Sequence, residues 1–159
     1  MSLESNYNLL EQIQKGAGGS VLPQMIHDDL DKLPQEVWNS KTTFLETQCE
    51  NGLYLHGIYD RLMECDNLIK EFPSQQERAE HILKNQLFGI AVDNFKCIVS
   101  QRVLYGYIGR YDNIKYMENY SELIKNKNNK IINKAIKNKF GKRKFDVIIT
   151  KPTNQQIEE

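Results

Sequence analysis

Glu46 and Gly52 are the residues of this 159-residue chain whose types and spacing could do chemistry. The short run Thr43-Phe44-Leu45 ends in the Glu46 carboxylate, and a small loop through Thr47, Gln48, Cys49, Glu50 and Asn51 leads to Gly52. Beyond it Leu55, Ile58, Tyr59 and Leu62 fall at i, i+3, i+4 and i+7, one face of a helix. A strand, an acid, a glycine loop and a helix form the opening unit of a doubly wound sheet. Such a unit holds a nucleotide-like ligand at the carboxyl end of its first strand. The glycine would let the backbone approach the ligand, and the helix start offers unpaired N–H groups. An ordinary strand-loop-helix with one glycine reads the same way, so both readings stand at this point.

The elements that must position these residues are legible on either side. Pro23 suits a first helical turn, Ile26, Leu30 and Leu33 share a face, and Pro34 stops that helix. The first strand is predicted at 42–46 and its crossover helix at 53–64. Ser74 with Glu77 three residues on marks the next helix start, running to about Leu83. The apolar run within 86–93 reads as a buried strand. Phe95, Ile98, Val99 and Val103 then give a helical face, Gly106 and Gly109 a turn, and 113–117 a weaker strand. Ile131, Ile132, Ala135 and Ile136 have helical spacing. The run 144–150 is a further strand whose continuous apolarity predicts cover on both faces. The predicted class is α/β, a doubly wound and mostly parallel sheet of about four strands. Residues 1–20, with Leu9, Leu10 and Ile13 as a short helix before a glycine-rich stretch, form an approach segment. Residues 21–155 form the domain, and 156–159 a tail.

Composition bounds the function. Hydrophobic residues make up 40% of the chain, enough for one soluble domain. No run is long enough to span a membrane and no leader pattern is present, so a cytoplasmic protein is expected. Cys49, Cys65 and Cys97 are scattered, without CxxC spacing, and imply neither zinc nor a disulfide framework. His27, His56 and His81 stand alone at helical positions, and Trp38 reads as packing on the sheet. The 21 basic and 21 acidic residues cancel, but unevenly. Residues 121–144 carry nine Lys/Arg against one Glu, net +8, while residues 1–120 carry 11 basic and 17 acidic, net −6. The basic stretch 125–144 could track nucleic-acid phosphates, or it could be a solvated helix face.

Taken in order, these pieces resemble the amino-directed adenine DNA methyltransferases of bacterial restriction–modification systems, which use S-adenosylmethionine. The chain looks most like the branch of type II enzymes in which methylase and nuclease share one polypeptide. The matching text is Leu22-Pro23 with its helix, Leu33 to Trp38, Thr43 to Glu46, Cys49, Gly52 and the helix to Leu62. It continues through Ile82 to Ile90, Arg102 to Tyr105, and Phe145 to Ile149. The resemblance covers roughly residues 21–155.

The resemblance implies a cofactor-binding set of Pro23, Glu46, Thr47, Cys49, Gly52 and Ala91, with the loop around Cys49 cradling the methionine part of S-adenosylmethionine. It implies a catalytic loop at Lys151, Pro152, Thr153 and Asn154, and DNA as partner. This sequence departs from the family at each place. Glu50 replaces the loop's first glycine. Ala91 stands where many relatives place a ribose-binding acid, leaving Asp93 as the nearest carboxylate. The family's Asn-Pro-Pro-Tyr reads Lys151-Pro152-Thr153-Asn154. A lysine has donors only and cannot accept hydrogen bonds from a target amine, and Asn154 has no ring to stack on a flipped base. Catalytic power is therefore expected to be impaired. Relatives continue beyond a fourth strand, so that strand is expected at an open edge, where a second copy or a partner chain could cover it. The alternative is a non-enzymatic interaction module, or one that uses its basic 125–144 segment on nucleic acid.

Overall fold

The computed structural model describes residues 23–125, 127–141 and 144–150. The N-terminal segment 1–20, Leu22 and the loop Lys151 to Asn154 lie outside the described residues. Four parallel strands, β1 (Phe44–Cys49), β2 (Leu87–Ala91), β3 (Ile114–Tyr116) and β4 (Val147–Ile149), lie in the order β3-β2-β1-β4. Helix α1 (Pro23–Asp31) and a 3₁₀ turn (Gln35–Val37) precede β1. Three helices, α2 (Leu53–Met63), α3 (Asp66–Glu71) and α4 (Gln75–Asn85), link β1 to β2. Helix α5 (Asn94–Tyr105) links β2 to β3, and α6 (Tyr120–Lys125) with α7 (Asn129–Phe140) link β3 to β4.

Alternation along the strands sorts the core into two layers, because successive side chains point to opposite faces. Phe44, Cys49, Leu87 and Ala91 pack with α1, α2, α4 and α5. Leu45, Phe88 and Ile90 pack with Tyr120, Ile136 and Phe140 from the last two helices. Three rings, Phe88, Phe140 and Phe145, meet edge to face at centroid distances of 6.0, 5.2 and 5.6 Å. The chain is thus a doubly wound α/β domain. Its first two crossovers lie on one face, and its third passes over β2 and β1 on the other. The winding reverses between β1 and β4, the position where open sheets of this class form a crevice at their carboxyl ends.

Several expectations hold and others are corrected. Pro23 opens α1, and the Ser74 hydroxyl accepts from Glu77 N at 3.4 Å as its capping pattern predicts. Trp38 stacks on Phe44, ring centroids 5.7 Å apart.

The first strand does not end at Glu46. It continues three residues to Cys49, because pairing with β2 resumes at Cys49↔Ala91 after an irregularity. On α5 the expected apolar face is right only in part: Val103 is buried and Val99 packs against the core, but Phe95 is 63% and Ile98 43% exposed, while Cys97, Ser100, Leu104 and Tyr105 are buried instead. Gln101 Nε2 donates to Ile114 O at 3.0 Å and Cys97 Sγ to the same oxygen at 3.6 Å, which fixes the helix rotation. β4 is the edge strand, and Ile148 is 56% exposed rather than covered on both faces. The basic segment forms two helices, and Asn128 Oδ1 caps the second through Ile131 N.

Candidate functional site

The switch point brings together Glu46 and Thr47 of β1 with Ile149 and Thr150 at the end of β4. Glu46 pairs with Ile149. The Thr47 hydroxyl donates to Ile149 O at 3.4 Å and lies 3.4 Å from the Thr150 hydroxyl. Tyr120 abuts Thr47 from the opposite layer; burial pushes its hydroxyl pKa up, against a lowering from the Thr47 contact.

Glu46 is 3% exposed and shares the face of Phe44. Its Oε2 accepts from Cys49 Sγ at 3.3 Å. Burial first, then the Glu46 charge and this hydrogen bond, raise the Cys49 thiol well above its ordinary pKa. The thiol is therefore a neutral donor, not a nucleophile or a metal ligand, since both roles need the thiolate. Gly89 on β2 makes room for it: a Cβ there would stand 2.6 Å from Cys49 Sγ.

The loop is only Glu50-Asn51-Gly52. Asn51 Oδ1 accepts from Leu53 N at 3.1 Å, satisfying one of the free donors at the start of α2. Gly52 sits at φ 75° and caps that helix. A Cβ on it would meet Ser100 O at 3.0 Å and Ser100 Cα at 3.1 Å. Its glycine identity is thus required by the left-handed backbone and by contact with α5, not by an open cradle. Above the acid, the Tyr54 hydroxyl donates to Asp29 Oδ2 at 2.5 Å and ties α2 to α1. Burial, Asp29 and the Glu46 charge all raise the Tyr54 pKa.

The remaining expected residues are placed as follows. Ala91 is fully buried in the sheet. Asp93 is the N-cap of α5, its Oδ1 accepting from Lys96 N at 2.7 Å. Lys151, Pro152, Thr153 and Asn154 lie outside the described residues. The structure therefore gathers Glu46, Thr47, Cys49 and Gly52 on one strand and its following loop, with Ala91 beside Cys49. The sequence reading missed Asp29, Ser100 and Tyr120. Asp29 carried a weak signal as an acid one turn from Ile26. Ser100 and Tyr120 carried none, because their relation to β1 exists only in the fold.

S-adenosylmethionine fits these residues poorly. The acid is enclosed and already bonded, the glycine backs onto α5, a carboxylate stands at position 50, and Asp93 is held by its cap. Two surface cavities, of about 600 and 520 Å³, lie elsewhere. They are lined by residues such as Trp38, Arg61, Glu64 and Asn67, near the far end of α2. Arg61 is nine residues beyond Gly52, about 13 Å along the helix axis. Size alone would favour those hollows; topology favours the crevice at the strand ends, where the chain reverses. Among the described residues no three His, Cys, Asp or Glu side chains are placed to hold a metal, and no helix is long and apolar enough to cross a membrane.

No protein-family model matches the chain, and no curated protein matches it.

Proposed function

We propose that this chain is a methyltransferase-type domain of the adenine-directed DNA kind, retaining the sheet of a methyl-donor fold with its working loops altered and without methyl transfer of its own. The observation that carries the reading is the all-parallel order β3-β2-β1-β4, which sets the acid-bearing strand against the end of β4. The family resemblance from Pro23 to Ile149 follows the same order of elements. Against turnover stand the enclosed Glu46, the Glu50 substitution and a lysine where the family accepts the target amine.

Calorimetric titration with S-adenosylmethionine, paired with transfer of a labelled methyl group to duplex DNA, tests this. The unmodified chain is expected to bind the donor weakly and to transfer nothing. Glu50→Gly returns backbone freedom and removes a charge beside the donor's own carboxylate. It is expected to tighten binding by about tenfold, equivalent to about 1.4 kcal/mol. Methyl transfer by the unmodified chain, or absence of binding by both proteins, overturns the reading.

A further inference from the structure

We propose that the outer face of α7 is a docking surface for the phosphate backbone of duplex nucleic acid, bound without reading sequence. The helix is two-sided. Ile136 and Phe140 are buried against Leu45, Phe88 and Ile90, with Ile132 and Ala135 packed beside them. Lys130, Lys134 and Lys137 are exposed and fall at i, i+4 and i+7, a single stripe on the opposite side. The helical rise spaces them about 6 and 4.5 Å apart along the axis. Each strand of a duplex carries one phosphate per about 3.4 Å of axis, so neighbouring phosphates of one strand lie within reach of these long lysine stems.

No acidic residue occurs between Glu122 and Asp146, so nothing on this helix or its flanking turns neutralises the stripe. Among the described residues none of the three lysines makes an ion pair. The chain as a whole has no net charge, so this is a local field, not general basicity.

The chemistry of the face selects among anionic partners. Its apolar side is already packed on the sheet, so it cannot insert among acyl chains as a membrane-surface helix does. It carries no aromatic side chain, whereas single-strand binders stack bases on such rings. Ile131, 49% exposed, is its lone large apolar group, too little for the desolvated centre of a protein interface. Lysines are compact point charges, and contacts of this kind to phosphates position a duplex without carrying sequence information. The inference stands apart from the methyltransferase reading, since it needs no cofactor and no residue of the crevice.

The test is fluorescence anisotropy of a labelled duplex of about 20 base pairs titrated with the full chain, without S-adenosylmethionine, from about 50 to 200 mM salt. Two duplexes of unrelated sequence are expected to bind alike. The triple variant Lys130→Ala, Lys134→Ala, Lys137→Ala is expected to lower the magnitude of the log–log salt slope by about 2.7, three lysines at about 0.9 each. All three side chains are exposed and alanine is a strong helix former, so the variant should keep its circular-dichroism spectrum and melting midpoint. Absence of binding by the unmodified chain at about 50 mM salt overturns the proposal. An unchanged slope in the folded variant also does so, as does equal displacement of the duplex by polyglutamate or by phosphatidylserine vesicles. The methyltransferase reading survives any of these failures, since donor binding is measured separately.

Discussion

The crevice at β1 and the outer face of α7 place their polar groups in opposite ways. At β1 each of several groups capable of chemistry is engaged by a neighbour. Cys49 donates to Glu46, Tyr54 to Asp29, Asn51 holds the start of α2, and Asp93 holds the start of α5. On α7 the lysines stand in solvent, and only the apolar side of the helix ties it to the sheet. An engaged, desolvated set of groups gives rigidity and a closed strand end; an exposed like-charge row gives a field. The first resembles an active site in sequence, but its geometry is that of a structural clasp. The second reads in sequence as a phosphate-tracking stretch or a solvated helix face, and its lysines are exposed to a partner.

The most damaging way to probe this contrast is to cut the tie between the two regions. Phe88 is fully buried in β2 and carries the edge-to-face contacts with Phe140 and Phe145. Phe88→Ala should cost about 4 kcal/mol in urea unfolding. It should also loosen α7 before the crevice, seen as faster amide exchange at Ile136 than at Leu55. Equal loss of protection at both positions would mean that the two layers unfold as one unit.

A smaller change isolates the close approach at Gly52. Both Gly52 and Gly109 have φ near +76°, at 75° and 77°, but a Cβ at Gly109 meets nothing within 4 Å. Gly109→Ala therefore bears only the left-handed backbone cost, about 1 kcal/mol. Gly52→Ala adds overlap with the Ser100 backbone and should cost about 3 kcal/mol in total. Equal losses in denaturant titrations would show that α5 gives way, and that the loop could open toward a ligand.

The fold was legible where apolar runs and caps agreed. Leu87 to Ala91 reads as a covered strand and is one, and Ser74 with Glu77 marks a true helix start. The rotation of α5 was hidden because its buried side includes the small or polar residues Cys97, Ser100 and Gln101, of which Cys97 and Gln101 bond to Ile114 O on β3. Apolar periodicity counted Phe95 and Ile98 instead. Helix α3 was missed because it has six residues and only Leu68 buried. The extension of β1 through Thr47 and Gln48 was hidden for a related reason: Thr47 finds its partners on β4, about a hundred residues away. At the site the acid, the thiol and the glycine were visible as a unit. Their neighbours Asp29, Ser100 and Tyr120 come from three other elements, and local spacing says nothing of them.

The thiol at the centre of the clasp provides the finest test. Cys49 has its folded pKa raised, so the native state keeps a proton that the unfolded chain releases. The contribution is fully present below the unfolded thiol pKa of about 8.5 and is lost as pH rises from there toward the folded value. Comparing the unmodified chain with Cys49→Ala removes the parallel titrations of Cys97 and of the buried tyrosines. Alanine should be destabilising at pH 7, since it deletes a buried sulfur and leaves Glu46 without this donor. Its deficit should then shrink by about 1 kcal/mol between pH 8.5 and 9.5, since the unfolded thiol is half ionised at the start of that interval. A deficit that stays constant over that interval would mean that the thiol ionises in the folded protein as easily as in the unfolded chain. Glu46 would then be open to solvent and to ligands, and the contrast with α7 would fail at its most buried point.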